Sequence, residues 1–136
     1  MIWAMNRRRL LLFLAAAPVL APGGALAAEE KKKGGGLDFI QIPTMTATVT
    51  RRDGRRGVLT VETGVDVPDR RLRDHAEASM PRLRAAYAQV LMTYGAQLSP
   101  GSAPNADYLS RELQRQTDLV LGKPGAKLLL GAILIN

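Results

Sequence analysis

The residue with the clearest capacity for chemistry is His75, the only histidine in the chain. It lies in Arg73-Asp-His-Ala-Glu77, and a His-x-Glu pattern is typical of zinc deaminases. Those enzymes complete their metal site with a Cys-x-x-Cys pair, whereas this chain contains no cysteine. We therefore predict that His75 is structural or solvated, and that the protein holds no metal and needs no cofactor.

The serines lack the partners that a hydrolase needs. A nucleophilic serine requires a base within reach, either a histidine or the lysine of a Ser-x-x-Lys motif. No serine of this chain has a lysine three residues on, and none lies in Gly-x-Ser-x-Gly. The serines concerned are Ser79, Ser99, Ser102 and Ser110.

Four acidic residues cluster in sequence at Asp66, Asp69, Asp74 and Glu77. Glycoside chemistry needs two carboxylates facing each other across a cleft. These four fall at a predicted strand end or in the first turns of a predicted helix, where acids serve as caps and favour the helix dipole. The sequence thus predicts no catalytic residue and a protein that is not an enzyme.

The most prominent charged feature is Arg51-Arg52-Asp53-Gly54-Arg55-Arg56. Asp-Gly accepts the positive φ angles of a tight two-residue hairpin turn, so we expect an exposed basic tip. Its arginines Arg51, Arg52, Arg55 and Arg56 could form a compact positive knob that contacts phosphates or carboxylates of a partner. Alternatively, the charges only blunt the hairpin and keep it soluble.

The N-terminus has the three parts of a secretory signal, and residues 1–27 are predicted to be cleaved before Ala28. Asn6-Arg7-Arg8-Arg9-Leu10-Leu11 resembles the twin-arginine export pattern. Ala25 and Ala27 form the small-residue cleavage motif. The apolar stretch from Leu10 to Ala21 falls short of the roughly 20 residues that a membrane-spanning helix needs. We expect a periplasmic protein, the alternative being an uncleaved N-terminal anchor.

Charge and composition restrict the partners. Removal of residues 1–27 takes away three of the 19 basic side chains and none of the 12 acidic ones, so the formal charge falls from +7 to +4. Export also removes the usual nucleic-acid targets, so we predict no nucleic acid, while protein partners and anionic membrane surfaces stay open. Residues 28–36 read as a flexible leader, because they are charged and then glycine-rich.

Residues 37–136 are predicted to form one folded domain. Residues 39–50 alternate with a change of phase at Pro43, which indicates a strand with a bulge. Residues 58–67 alternate cleanly, which indicates a half-buried strand. An apolar stripe from Leu72 to Tyr94 predicts a helix of roughly 25 residues, in which Pro81 causes either a kink or a new first turn capped by Ser79.

A second helix is predicted to begin at a cap near Asn105 and to end at Gly122. The final run, residues 127–136, is almost continuously apolar, which indicates a strand covered on both faces. A contact between copies is the alternative for this run. The order predicts an α+β fold, a small two-layer sandwich of a β-hairpin, a long kinked helix, a second helix and a final strand.

From about Phe39 to Asn136 the chain resembles the periplasmic domain of the FliL family, the flagellar basal-body-associated proteins. The resemblance lies in Ile42-Pro43, in the strand 57–67, in the Asp-containing helix start that follows it, and in Met80-Pro81-Arg82-Leu83-Arg84 with its apolar stripe to Leu91. It continues in Leu109-x-x-Glu-Leu113 and in the terminal Leu130-x-x-Ile-Leu-Ile-Asn136. The order and spacing of these elements carry the resemblance.

Membership of this family would imply a stomatin-like fold, no enzymatic activity, and assembly side by side around the stator units of the flagellar motor. Family members usually keep an uncleaved transmembrane helix, where this chain has a cleavable signal. The sequence therefore predicts a periplasmic FliL-like protein that acts through protein contacts. Its expected partners are flagellar stator or basal-body components, or further copies of itself.

Overall fold

The computed structural model describes residues 36–136. The predicted export signal, with Arg7, Arg8, Leu10, Leu11, Ala25 and Ala27, lies outside the described residues, as do residues 28–35 of the predicted leader. The elements are β1 (Phe39–Thr50), β2 (Arg56–Asp66), α1 (Arg70–Ala78), α2 (Met80–Gln97), α3 (Ala106–Leu121) and β3 (Lys127–Ile135). The predicted α+β class is confirmed.

The three strands form one antiparallel sheet in the order β1-β2-β3. In β2, Leu59, Val61 and Val65 are fully buried, as their alternation predicted. In β1 the register shifts between Ile42 and Met45, which confirms the bulge at Pro43. The bulge brings Ile42 and, on the other side of the shift, Val49 to the same buried face.

The hairpin loop between β1 and β2 is longer than the predicted two-residue turn. Arg51 N donates to Arg55 O at 2.8 Å, and Gly54 N donates to Arg51 O at 2.9 Å. Residues 52–54 therefore form a three-residue loop, with Gly54 in the left-handed region at φ 84°. The additional residue allows a type I turn to be followed by a left-handed glycine, a conformation that suits Asp-Gly equally well.

The predicted long helix is two helices separated at Ser79. Pro81 lies in the first turn of α2, where the missing N–H of proline costs no hydrogen bond. The restart of the helix at Ser79 is confirmed, but capping by its side chain is wrong. Ser79 has φ −96° and ψ 8°, not the extended backbone of a capping residue, and its Oγ accepts from Arg82 at 3.2 Å instead.

The ends of α3 agree with the sequence. Asn105 Oδ1 accepts from Tyr108 N at 3.0 Å, and Gly122 ends the helix with φ 82°. The Tyr94 ring stacks on Tyr108 at 5.7 Å between centroids, and Tyr94 Oη accepts from Asn105 N at 2.6 Å. These contacts hold the α2–α3 loop against both helices.

β3 is an edge strand with one open face, so the prediction of a strand covered on both faces is wrong. Leu128 is buried, whereas Leu129 and Leu134 are 38% and 53% exposed. The helices lie on one face of the sheet only, with α2 against β1 and α3 against β3. The β2–β3 register shifts between Val61 and Thr63, and this shift brings both Leu129 and Leu134 to the side that no described element covers.

The core fills the space between the sheet and the helix layer. Tyr87 of α2 and Thr117 of α3 are both fully buried, and their hydroxyl groups form a hydrogen bond. Thr117 Oγ1 also donates to Leu113 O at 2.7 Å. Burial raises the pKa of the Tyr87 phenol; the bond to Thr117 lowers it and the nearby Asp118 charge raises it further.

Candidate functional site

The hairpin tip that carries the four arginines is exposed throughout. Asp53 orders it, because its Oδ1 accepts from Arg55 N at 2.9 Å and its Oδ2 lies 3.9 Å from Arg51 Nη2. The side chains of this ion pair are each 49% exposed, so solvent screens most of the interaction. Arg51 thus keeps a guanidinium group that an external carboxylate can reach.

The strand register determines from which side of the hairpin each arginine stem leaves. Arg56 is paired with Thr50 in the ladder, and the alternation of β2 directs it to the face opposite the buried Gly57. The stem of Arg51 lies on the other side, against Gly57, where an added Cβ would approach Arg51 Cγ to 2.6 Å. Because the side chains on a strand alternate, the stems of Arg51 and Arg56 leave from opposite sides of the sheet.

Arg52 is held against the loop that joins α2 and α3. A Cβ at Gly101 would lie 3.0 Å from Arg52 Nε, so the side chain passes directly over this glycine. Gly101 itself has φ 79°, a conformation that residues with a Cβ rarely adopt. Loop and tip therefore meet through a contact between residues about fifty positions apart in the chain.

Between tip and loop lies a cleft of about 320 Å³, which we call the tip cleft. Its rim carries Arg51 and Arg52, and apolar side chains of Leu98 and Ile135 contribute to its walls. The remaining lining residues are Thr50, Gly101, Ser102, Ala103 and Pro104. No carboxylate side chain lines it, so the tip cleft combines positive charge with apolar surface.

A second surface is the side of the sheet that the helices leave uncovered, which we call the open face. Val58, Leu129 and Leu134 lie on it and are 46%, 38% and 53% exposed. Leu134 pairs with Thr60, which in turn pairs with Thr46 of β1, and the exposed Glu62 lies on the same side of β2 as Thr60. β3 borders this face with one edge unpaired among the described elements.

The other candidates for chemistry remain separate. His75 is exposed on α1, and Ser79 is buried beneath Arg82. Asp69 caps α1 by accepting from Leu72 N at 2.9 Å, as its position predicted. Within residues 36–136, no three side chains of the metal-ligating types come together.

Sequence reasoning missed Leu98, Gly101 and Ile135 as lining of the tip cleft. Leu98 and Gly101 belong to a stretch whose composition indicates only a loop. Their significance depends on the fold bringing them to the hairpin, and no local pattern encodes that meeting. Ile135 was assigned to a covered strand, which concealed its place at the end of an edge strand.

No model of a known protein family matches the chain, and no curated protein matches it significantly. Among the helices of residues 36–136, none is long and apolar enough to span a bilayer.

Proposed function

We propose that this chain is a non-enzymatic, periplasmic FliL-like protein that acts through protein contacts, in flagellar motor or envelope function. The observation that carries the proposal is the open face. Val58, Leu129 and Leu134 are exposed on one face of a sheet that also has an unpaired strand edge among the described elements, and both features favour association with another polypeptide.

The order of elements is compatible with the FliL resemblance, which supplies the flagellar part of the proposal. The resemblance of the segment around Arg7 and Arg8 to a twin-arginine export signal supports the proposed periplasmic location. A mass measurement on protein from the periplasmic fraction tests that location. We expect a chain that begins at Ala28, whereas a chain that begins at Met1 contradicts cleavage.

A deletion strain of the source bacterium tests the flagellar role. We expect impaired swimming with flagella still assembled, restored by the wild-type gene. Normal swimming with normal flagella removes the flagellar role and leaves the envelope role. Co-purification from periplasm then identifies the partner, with stator and basal-body components or further copies of the chain as the expected outcomes.

The exposure of all four tip arginines favours a second candidate, binding of an anionic envelope component such as a membrane surface. Replacement of Arg51, Arg52, Arg55 and Arg56 by glutamine would then abolish binding to vesicles that contain anionic lipid. Equal binding of both proteins, or no binding by either, contradicts this candidate.

A further inference from the structure

We propose that the tip cleft binds an extended acidic peptide segment that inserts one bulky apolar side chain. The inference rests on the proposed action through protein contacts and names the kind of partner that this cleft fits. Such a ligand would place carboxylates at the rim, against Arg51 and Arg52, and its apolar side chain against Leu98 and Ile135.

Charge complementarity selects an acidic ligand. The rim carries two guanidinium groups and the lining contains no carboxylate. Among residues 36–136, Asp53 is the acidic side chain that pairs with this rim, and its Oδ2 lies 3.9 Å from Arg51 Nη2. Guanidinium groups bind carboxylates through paired N–H donors, so both arginines can donate to a ligand carboxylate, and for Arg51 this carboxylate can take the place of Asp53.

The position of the arginines favours a peptide over a membrane surface. A lipid surface would use all exposed charges of the tip, whereas only Arg51 and Arg52 line the cleft. The volume of about 320 Å³ lies between the tip and the loop 101–104, at the small end of the range for ligand pockets. A recess of this size can accept one side chain of a peptide. A flat layer of lipid headgroups presents no side chain that could fill it.

The arginines that lie outside the tip cleft offer a matched control. The double variant Arg51→Gln/Arg52→Gln and the double variant Arg55→Gln/Arg56→Gln remove the same charge from the same loop. Only the first pair lines the tip cleft. Any general electrostatic attraction to the tip is weakened similarly by both, whereas the proposed site is lost only from the first.

The test measures fluorescence anisotropy of a short labelled peptide of alternating glutamate and leucine, with the folded state of each variant checked by circular dichroism. We expect Arg51→Gln/Arg52→Gln to weaken binding by about tenfold or more, because charge-assisted hydrogen bonds are lost. Binding to Arg55→Gln/Arg56→Gln should stay within about twofold of wild type. Leu98→Ala should weaken binding of the glutamate–leucine peptide, because an apolar wall of the cleft is lost. The weaker binding of a polyglutamate peptide, which has no apolar side chain, should be unchanged.

Three results would overturn the inference: no binding of the glutamate–leucine peptide, equal loss in both double variants, or binding of anionic vesicles in place of the peptide. None of them removes the proposed protein-contact function, which is tested separately by co-purification. Conversely, wild type and Arg51→Gln/Arg52→Gln could capture the same partner equally well. That result would support the protein-contact function and would show that the partner binds another surface.

Discussion

The same three strands make two faces of the sheet, and the two faces differ in what covers them. On the covered face, Leu59, Val61 and Val65 are fully buried beneath α2 and α3. On the open face, Val58 and Leu134 lie beside polar residues such as Thr60 and Glu62 and remain about half exposed. Burial of apolar area stabilises the fold, so the covered face should determine stability and the open face should be free to determine association.

The largest expected difference comes from one substitution made on each face. Leu59→Ala removes a fully buried side chain and should lower the free energy of unfolding by about 3 kcal/mol. Leu134→Ala changes a side chain that is 53% exposed and should cost less than about 0.5 kcal/mol. Urea unfolding followed by circular dichroism measures both, and similar losses would contradict the division between the faces.

The helix layer above the covered face depends on one buried polar contact. Thr117→Val leaves the Tyr87 hydroxyl group buried without its partner and should destabilise by about 2 kcal/mol. Tyr87→Phe leaves Thr117 bonded to Leu113 O and should cost about 1 kcal/mol or less. Urea unfolding measures both losses. A larger loss for Tyr87→Phe than for Thr117→Val would contradict the assignment of the Tyr87 hydroxyl as the group that needs a partner.

The pH dependence of stability provides an independent measurement on Tyr87. Burial raises the pKa of this phenol above the ordinary value of about 10, so the folded chain holds the proton more tightly than the unfolded chain does. The resulting stability is present below about pH 10 and is lost as the pH rises through the folded-state pKa. Tyr87→Phe should lose less stability than wild type above about pH 10, and equal losses would show that other groups dominate.

The close approach of α2 to β1 should give a smaller effect. A Cβ at Gly95 would lie 2.5 Å from Thr48 O, a backbone atom that cannot move without shifting β1. Helix propensity alone predicts that Gly95→Ala stabilises by up to about 1 kcal/mol. We expect a net loss of about 1 kcal/mol because crowding exceeds the gain in propensity. Thermal unfolding decides the sign, with Ala96→Gly on the exposed side of α2 as the propensity control.

The covered face could be predicted from sequence because its pattern is local. The alternation of β2, the change of phase at Pro43 and the cap at Asn105 each involve neighbouring residues and one elementary rule. The apolar run of β3 carries no information on the number of layers that cover it, which is why a two-sided strand was predicted. No described helix covers the second face of the sheet, and this becomes visible only when the elements are assembled.

The tip cleft could be predicted only in part. Arg51 and Arg52 were identified from their charge and their place beside Asp53-Gly54. Their direction depends on Gly57 and Gly101, over which the two stems lie. The Arg52–Gly101 contact joins distant parts of the chain, so the sequence alone does not show which of the four arginines line a cleft.

The open face should respond least in stability and most in association. Leu134→Lys places a charge among exposed apolar side chains, where it should change the free energy of unfolding by less than about 0.5 kcal/mol. It should nevertheless reduce the partner co-purified from periplasm, because a buried unpaired charge is costly in an interface. Ala85→Lys adds the same charge to the exposed surface of α2 and is the matched control. If both variants retain the partner equally, the open face is not the contact surface. The conclusion that Leu134 contributes little to the free energy of unfolding would be unaffected.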